Sequence, residues 1–277
     1  MVKIVADTST LISPKEGESL GIDIIPLGLV IQGKAFLELD NLTSDECLEL
    51  IEKGGIPSSS QPAIGRIVEV FEKYPEEEVL GIFLSDGLSG TYASAKSAAD
   101  MVESSHIHVL NSETLCGPHR YLVRKAKALA DEGKNVEEIL EALKKSMANT
   151  KSFLLPQDFE FLRRGGRLTP LAAKLGGLLK IVPIMTLTED HRRLEKHGVG
   201  RTFKVAVGKI IDEMVASGVD ENYYVSVTYA GNLKQGEDTY QRIQNKFPDT
   251  EIELLPLTPA FIAQGGPGCI AIQWIKK

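Results

Sequence analysis

The sequence has few of the residues from which catalytic and metal sites are most often built. Its 277 residues include three cysteines, five histidines and one tryptophan. Cys47, Cys116 and Cys269 lie far apart and form no C-x-x-C pair, so the paired spacing of a structural zinc site is absent. The stretch from Met1 to Val5 is typical of a first strand, not of a secretory signal. We therefore expect a reduced, cytoplasmic protein without a metal or other cofactor.

Long apolar runs and basic runs are also missing. No apolar stretch reaches the roughly 18 residues of a membrane span, and the best candidate, 175–185, is broken by Lys180 and Pro183. The 31 Lys and Arg residues are outnumbered by 38 Asp and Glu residues, and no five basic residues run together. This acidic balance argues against a nucleic-acid partner.

What the sequence does contain is enough apolar material for a large core. The hydrophobic fraction is 43%, which excludes a disordered chain. Strand-like runs alternate with helix-like runs, as where the apolar run from Val79 to Leu84 precedes a predicted helix from Thr91 to Val102. This alternation predicts an α/β fold with parallel β-α-β units. We expect an N-terminal domain, 1–149, with a mostly parallel sheet flanked by helices, and a second α/β domain, 150–277.

Two serine-rich segments are predicted to begin helices. In the first, 58–62, Pro62 suits a first helical turn and the serines before it suit an N-cap. In the second, 85–92, Gly87 and Gly90 permit a tight turn after a buried strand. The free amides of a helix start bind carboxylates or phosphates, so the two segments predict a shared anion site. The alternative is that each serine only caps its own helix.

Neither segment has the pattern of a known catalytic loop. There is no Walker motif and no G-x-G-x-x-G, and Thr91 stands where a nucleophile elbow needs glycine. A serine hydrolase also needs a general base. No histidine has a context that marks it as that base, so we assign no catalytic residue. The five histidines are His106, His108, His119, His191 and His197.

Six short motifs then follow one another in a recognisable order. They are Asp7-Thr8-Ser9-Thr10, Ser59-Ser60-Gln61-Pro62, Leu88-Ser89-Gly90-Thr91-Tyr92, Asn111-Ser112, Phe161-Leu162-Arg163-Arg164-Gly165-Gly166-Arg167 and Gly266-Pro267-Gly268. Each motif is weak alone, but in this order and spacing they resemble the DegV family of bacterial fatty-acid-binding proteins. The resemblance covers essentially the whole chain.

The resemblance implies a two-domain α/β fold with a lipid tunnel between the domains. A fatty acid would place its carboxylate near the serine loops and bury its tail, and a separate kinase subunit would phosphorylate the carboxylate. The chain itself would catalyse nothing, and a transient contact with a membrane is compatible with this role. The residues expected to bind the acid are Ser59, Ser60, Ser89, Gly90 and Gln264.

Three positions depart from the family pattern. Gln264 stands where the family usually has histidine, and an amide donates a hydrogen bond but carries no charge. Ser59 replaces a threonine and keeps the hydroxyl, whereas Leu11 stands where an aspartate is frequent. Head-group affinity or proton handling is therefore expected to differ from that of other members.

Arg167 and Arg201 are expected by resemblance to face the kinase or the new phosphate, a role that suits a bidentate guanidinium. The alternative for Arg167 is a surface charge beyond a helix end. Several apolar residues are candidates for the tunnel wall, although each also suits ordinary core packing. They are Phe83, Leu84, Phe159, Phe161, Ile184 and Phe261.

Two other functions remain open on sequence grounds. A small-molecule kinase or hydrolase would use the same loops as its anion site, and ATP consumption by the chain alone would reveal it. A regulatory lipid sensor would bind the same ligand as a carrier, and only association with a kinase subunit separates the two.

Overall fold

The computed structural model describes residues 1–174 and 181–277, in which thirteen strands and ten α-helices form an α/β fold. The first six residues of the apolar stretch 175–185 lie outside the described residues. The strands are β1 (Lys3–Asp7), β2 (Ile22–Ile25), β3 (Gly28–Ile31), β4 (Lys34–Leu37), β5 (Pro57–Ser60), β6 (Val79–Phe83), β7 (Ile107–Asn111), β8 (Thr150–Leu155), β9 (Val182–Leu187), β10 (Leu194–Gly200), β11 (Tyr223–Tyr229), β12 (Glu251–Pro256) and β13 (Ile270–Lys276). The helices are α1 (Pro14–Leu20), α2 (Ser44–Glu52), α3 (Ile64–Phe71), α4 (Thr91–Val102), α5 (Cys116–Asp131), α6 (Val136–Met147), α7 (Phe159–Gly165), α8 (Phe203–Ala216), α9 (Leu233–Lys246) and α10 (Pro259–Gly265).

The N-terminal half contains a parallel four-stranded sheet in the order β2-β1-β6-β7. Every residue of β6 is buried, as the continuous apolar run from Val79 predicts. Helices between the strands cover the sheet, since an all-parallel sheet must be shielded from water on both faces. The predicted parallel sheet flanked by helices is confirmed.

The C-terminal half contains a six-stranded mixed sheet in the order β10-β9-β8-β13-β11-β12. Only the pair of β11 and β12 is parallel in this sheet, and the other neighbouring pairs within the described chain are antiparallel. The second half is therefore α/β, as expected, but its sheet is mostly antiparallel and not a series of parallel β-α-β units. A small antiparallel sheet, β4-β3-β5, completes the described strands.

Local capping explains where several helices begin. Thr43 and Glu46 form a reciprocal capping box at the start of α2, and Asn135 and Glu138 form another at α6. Each box satisfies amides that the first helical turn leaves without partners. The bounds predicted for α4, Thr91 to Val102, agree with the structure residue by residue.

The two larger sheets share one hydrophobic cluster. Leu122 and Val123 of α5 and Ile139 of α6 pack in it with Tyr224 and Ile275 from the C-terminal sheet. Helices α5 and α6 thus lie between the halves, and the boundary at 149/150 stays a prediction. In the part of the chain that is described, no helix has both the length and the apolar character needed to span a bilayer.

Candidate functional site

The first serine segment is a strand, which corrects the prediction that it begins a helix. Ser59 and Ser60 lie in β5, where they pair with Leu29 and Gly28 of β3. Helix α3 begins only at Ile64, and no side chain caps it. The backbone of Ser59 and Ser60 is extended and pairs with β3, so these residues do not lie at the start of a helix. This pairing joins distant segments, so no local sequence pattern predicts it. Any anion at Ser59 and Ser60 therefore meets hydroxyls and not helix amides.

The second serine segment does begin a helix. Gly90 is the N-cap of α4, and the Ser89 hydroxyl accepts a hydrogen bond from the Thr91 amide at 3.3 Å. The Ser89 and Thr91 hydroxyls are 2.8 Å apart. A Cβ on residue 90 would lie 1.9 Å from Oε1 of Gln61, so the two serine segments approach each other closely at this point.

The two segments contribute hydroxyls to one cavity of about 80 Å³, which we call the serine cavity. Its lining residues come from both halves of the chain. They are Leu27, Ser59, Ser60, Leu84, Leu88, Ser89, Leu115, Leu162, Arg167, Leu194, Ala260, Phe261 and Gln264. Gly90, the N-cap residue next to Ser89, is not among them.

Arg167 supplies the only charge among these lining residues. Its Nε donates to the Leu88 carbonyl at 2.9 Å, and one terminal nitrogen donates to the Gly165 carbonyl at 2.5 Å. These bonds hold the half-buried guanidinium in place, and its other N–H groups have no partner among the described residues. Burial lowers the pKa of Arg167, but a guanidinium stays protonated in proteins. No carboxylate in 1–174 or 181–277 forms an ion pair with it.

Gln264 connects the first serine segment to α7. Its Nε2 donates to the Ser59 hydroxyl at 2.9 Å, so the Ser59 proton remains free to donate elsewhere. A Cβ on Gly165 would lie 2.0 Å from Gln264 Oε1, which shows how closely the amide packs against the end of α7. Ser59, Ser60, Ser89 and Gln264 are thus brought together around Arg167.

The serine cavity is suited to an anion. Among its lining residues the polar groups are three hydroxyls, an amide and a guanidinium, and none is a carboxylate. Hydrogen bonds between an ionised acceptor and such donors are stronger than those between neutral groups. The remaining walls are apolar, so the cavity can hold a molecule that is charged only at one end.

A second cavity, also of about 80 Å³, adjoins the first, and we call it the leucine cavity. It shares Leu115, Leu162, Leu194, Phe261 and Gln264 with the serine cavity. Its other lining residues continue toward the C-terminal sheet. They are Cys116, Ser152, Phe153, Leu154, Leu187, Leu257, Gly265, Cys269, Ala271 and Gln273.

The tunnel-wall candidates divide between wall and core. Leu84 lines the serine cavity and Phe261 lines both cavities, whereas Phe83 and Ile184 are fully buried in core clusters. Phe159 and Phe161 line neither cavity. Leu115, Leu162 and Leu194 also line the cavities but are not among the predicted wall residues. An apolar residue in a sequence does not indicate whether its side chain lines a cavity or packs in the core.

Arg201 does not join the site. It is exposed just before α8 and lines neither cavity. Arg167 is not the surface charge that the alternative predicted, because its guanidinium is half-buried and bonded across the site.

A buried polar cluster supports the site from the N-terminal sheet. Asp7 accepts hydrogen bonds from the amides of Ser9 at 2.7 Å and Leu84 at 2.9 Å, which fixes the end of β6 at the serine cavity. The Ser9 hydroxyl is 2.7 Å from Nδ1 of His119. Both Ser9 and His119 are fully buried, burial lowers the pKa of His119, and neither residue lines a cavity described above.

Glu38 connects this cluster to α10. Its carboxylate accepts hydrogen bonds from the Thr8 hydroxyl and from the Ala260 amide, the latter at 2.7 Å. Complete burial raises the pKa of Glu38 to about 7. Glu38 therefore holds the helix that carries Phe261 and Gln264 against the N-terminal half.

Comparison with known sequences gives one consistent family. The profile of the DegV family matches residues 1–277. A DegV domain-containing protein of Listeria innocua is 30% identical over 281 residues, covering 100% of this chain and 99% of that protein. One from Staphylococcus aureus is 30% identical over 278 residues, covering 99% and 98%.

Solved structures give the same result for the fold. DegV, a fatty acid binding protein from Bacillus subtilis, is 27% identical with a TM-score of 0.88, over 100% of this chain and 99% of that one. A fatty-acid-binding DegV family protein from Thermus thermophilus has a TM-score of 0.91 at 24% identity, with 100% and 99% covered. One from Eubacterium eligens, loaded with heptadecanoic acid, has a TM-score of 0.87 at 22% identity, with 100% of each chain covered. Across its length the chain has the fold of these proteins.

Proposed function

This chain belongs to the DegV family, and we propose that it is a fatty-acid carrier. In this proposal the carboxylate lies in the serine cavity and the acyl tail lies in the leucine cavity. The observation that carries the proposal is Arg167, a half-buried cation without a carboxylate partner in the described chain, which lines a mostly apolar cavity.

Arg167, Ser89 and Ser59 would hold the carboxylate together. Arg167 offers the N–H groups that its two backbone contacts leave free, and Ser59 offers the proton left by its bond from Gln264. Ser89 adds a hydroxyl from the second serine segment, and Ser60 also lines the cavity. The neutral amide of Gln264 acts through Ser59, which positions the hydroxyl without adding charge.

The leucine cavity would shield the tail from water. Its lining is almost wholly apolar, and it begins where the serine cavity ends. Each buried methylene contributes about 0.8 kcal/mol, so eight contribute roughly 6 kcal/mol before ordering costs. The bound fatty acids of the relatives, heptadecanoic acid in the Eubacterium eligens protein among them, support this ligand class.

We also propose that the bound acid is presented to a separate kinase subunit, as the family resemblance implies. Ser60 is exposed and lines the serine cavity, so the carboxylate end of the site reaches the protein surface. A partner could therefore reach the carboxylate while the tail stays buried. Exposed Arg201 is then a candidate for contact with that partner and not with the acid.

A carrier fits the site better than a hydrolase does. The Ser9–His119 pair resembles a nucleophile and its base, but neither residue is exposed and neither lines the two cavities. Ser89 lines a cavity, but among the described residues its hydroxyl bonds to groups of Thr91 and to no histidine. Incubating the chain alone with ATP and palmitic acid should consume no ATP, and turnover would instead support the kinase alternative.

Native mass spectrometry tests the carrier directly. Protein purified from a bacterial host should carry an added mass of a few hundred daltons, about that of a fatty acid. After the lipid is removed, palmitic acid should restore a one-to-one complex, whereas a neutral alkane of equal length should not. A protein that is empty as purified and also fails to take up palmitic acid would contradict the proposal.

A further inference from the structure

A third cavity, of about 300 Å³, lies beside the leucine cavity, and we call it the polar cavity. It shares Ser152, Phe153 and Leu187 with the leucine cavity. Among the described residues, none lines both the polar cavity and the serine cavity. The three cavities therefore follow one another, with the leucine cavity between the other two.

The leucine and polar cavities meet where two strands stop pairing. β8 and β9 are antiparallel, and in the described chain their register ends at Phe153 and Thr186. The next residues in that register, Ser152 and Leu187, are not paired, and each lines both cavities. A side chain bridges the strands at this point, because the Thr186 hydroxyl donates to the Ser152 carbonyl at 3.0 Å. The end of the ladder is thus the boundary between the two cavities.

The wall of the polar cavity is in contact with water. Thr150 and Thr188 are half-buried there, and Lys151, Glu189 and His197 are exposed. A hydroxyl group that reaches this cavity keeps its hydrogen bonds, to water or to polar side chains. A hydroxyl group left in the apolar leucine cavity loses its bonds to water, which costs free energy.

Unpaired negative charge also faces the polar cavity. Lys151 pairs with Glu213 at 2.5 Å, and this bond holds the pKa of Glu213 below its ordinary value. Glu113 and Glu189 are exposed, line the cavity and form no ion pair within residues 1–174 and 181–277. A carboxylate that entered this cavity would meet both charges, whereas a hydroxyl group carries no charge.

We propose that the tail of a long ligand passes between β8 and β9 and ends in the polar cavity, so that the protein binds long-chain acids with a hydroxyl group on the last carbon. This inference rests on the proposed function, because it assigns a substrate class to the same site. The carboxylate stays at Arg167 in the serine cavity, and the middle of the tail lies in the leucine cavity. A shorter tail ends inside the leucine cavity.

A length series tests the proposal. Titration calorimetry with lipid-free protein measures the dissociation constants of straight-chain acids from decanoic to eicosanoic acid and of the same acids with a hydroxyl on the last carbon. On a short tail the hydroxyl should weaken binding about 10-fold, because the leucine cavity cannot hydrate it. Above a threshold length the hydroxy acid should bind at least as tightly as its parent acid, because its hydroxyl lies in the polar cavity.

Closing the gap between the strands should remove this threshold. Leu187→Phe places a larger side chain where the two cavities meet, so the hydroxyl should weaken binding at every length. Leu187→Met is the matched control, because it keeps about the same volume and should keep the threshold.

A carboxylate in place of the hydroxyl gives a second readout. Above the threshold length, the dicarboxylic acid should bind about 2- to 5-fold more weakly than the hydroxy acid, because its far end meets Glu113 and Glu189. Glu113→Gln should reduce this difference. Glu103→Gln should not, since Glu103 is also exposed with a positive φ but lines none of the three cavities.

Several outcomes would overturn the proposal. A hydroxyl penalty of equal size at every length would mean that the leucine cavity is closed at β8 and β9. A threshold that persists in Leu187→Phe, or a dicarboxylic acid that binds as tightly as the hydroxy acid, would place the far end elsewhere. If Leu187→Phe does not fold, the wild-type series decides alone. Failure of the parent acids at every length would instead contradict the carrier function itself.

Discussion

The serine cavity and the leucine cavity adjoin each other but are built in different ways. In the serine cavity, backbone contacts fix the polar groups: Arg167 donates to two carbonyls and Ser89 accepts from an amide. In the leucine cavity, side chains of α7, α10 and the C-terminal sheet form the wall by packing. The first can therefore select the chemical group at the end of a ligand, and the second can select the length and shape of its tail.

Because one cavity would bind the carboxylate and the other the tail, substitutions in the two cavities should change the binding of fatty acids in different ways. A change in the serine cavity should weaken all fatty acids by a similar factor. A change in the leucine cavity should weaken long acids and spare short ones.

The largest effect is expected from Arg167→Met. Loss of a half-buried cation that pairs with the carboxylate should cost about 2–4 kcal/mol of binding free energy. Calorimetry should show the same loss for octanoic and palmitic acids, because the two share the carboxylate. Arg163→Met is the matched control, since Arg163 is exposed on α7, just before Arg167 in the chain, and pairs with Glu160. Unchanged binding by Arg167→Met would remove Arg167 from the site.

Ser89→Ala should have the next largest effect. A charged carboxylate that loses a hydroxyl donor loses about 1–3 kcal/mol of binding free energy. The loss should again be independent of tail length when it is measured with the same two acids. If affinity is unchanged, the carboxylate does not contact Ser89.

Ala271→Leu should distinguish the role of the leucine cavity from that of the serine cavity. Ala271 lines the leucine cavity, and the larger side chain would occupy the space of about two tail methylenes, worth about 1.6 kcal/mol. Palmitic acid should bind more weakly by that amount while octanoic acid is unaffected. Equal weakening of both acids would mean that the substitution disturbs the whole site.

The smallest effect is expected from Glu38, which lines neither cavity but supports α10. Its raised pKa means that the folded state favours the protonated form, so its contribution to stability is full below the ordinary value of 4.5 and is lost as pH rises through about 7. Buried His119 acts in the opposite direction, because its lowered pKa means that stability is lost as pH falls.

Comparing Glu38→Gln with the wild type cancels the contribution of His119. Relative to the wild type, the variant should gain about 1 kcal/mol of unfolding free energy between pH 6 and pH 8. Urea denaturation at both pH values measures this difference. A difference that does not change with pH would show that Glu38 is ionised across the range.

Local patterns made much of the fold predictable. The buried run of β6 and the helix after Gly90 each depend on neighbours in sequence, and both agree with the structure. The strands β4 and β10 and the helices α1 and α10 were not predicted, because they are short or polar and owe their form to tertiary contacts.

The site was predictable in its residues but not in its geometry. Ser59, Ser89 and Gln264 follow from motifs, and the cavity brings them together. The strand at Ser59 depends on pairing with β3, and the orientation of Arg167 depends on the carbonyl of Leu88 in the N-terminal half. Such contacts between distant segments leave no pattern in a single sequence.

A crystal structure of the protein with bound palmitic acid tests the central claim most directly. The account predicts the carboxylate within hydrogen-bond distance of Arg167 and Ser89, and the tail between Leu162 and Phe261. An acid bound in the reverse direction, or outside the serine and leucine cavities, would contradict it.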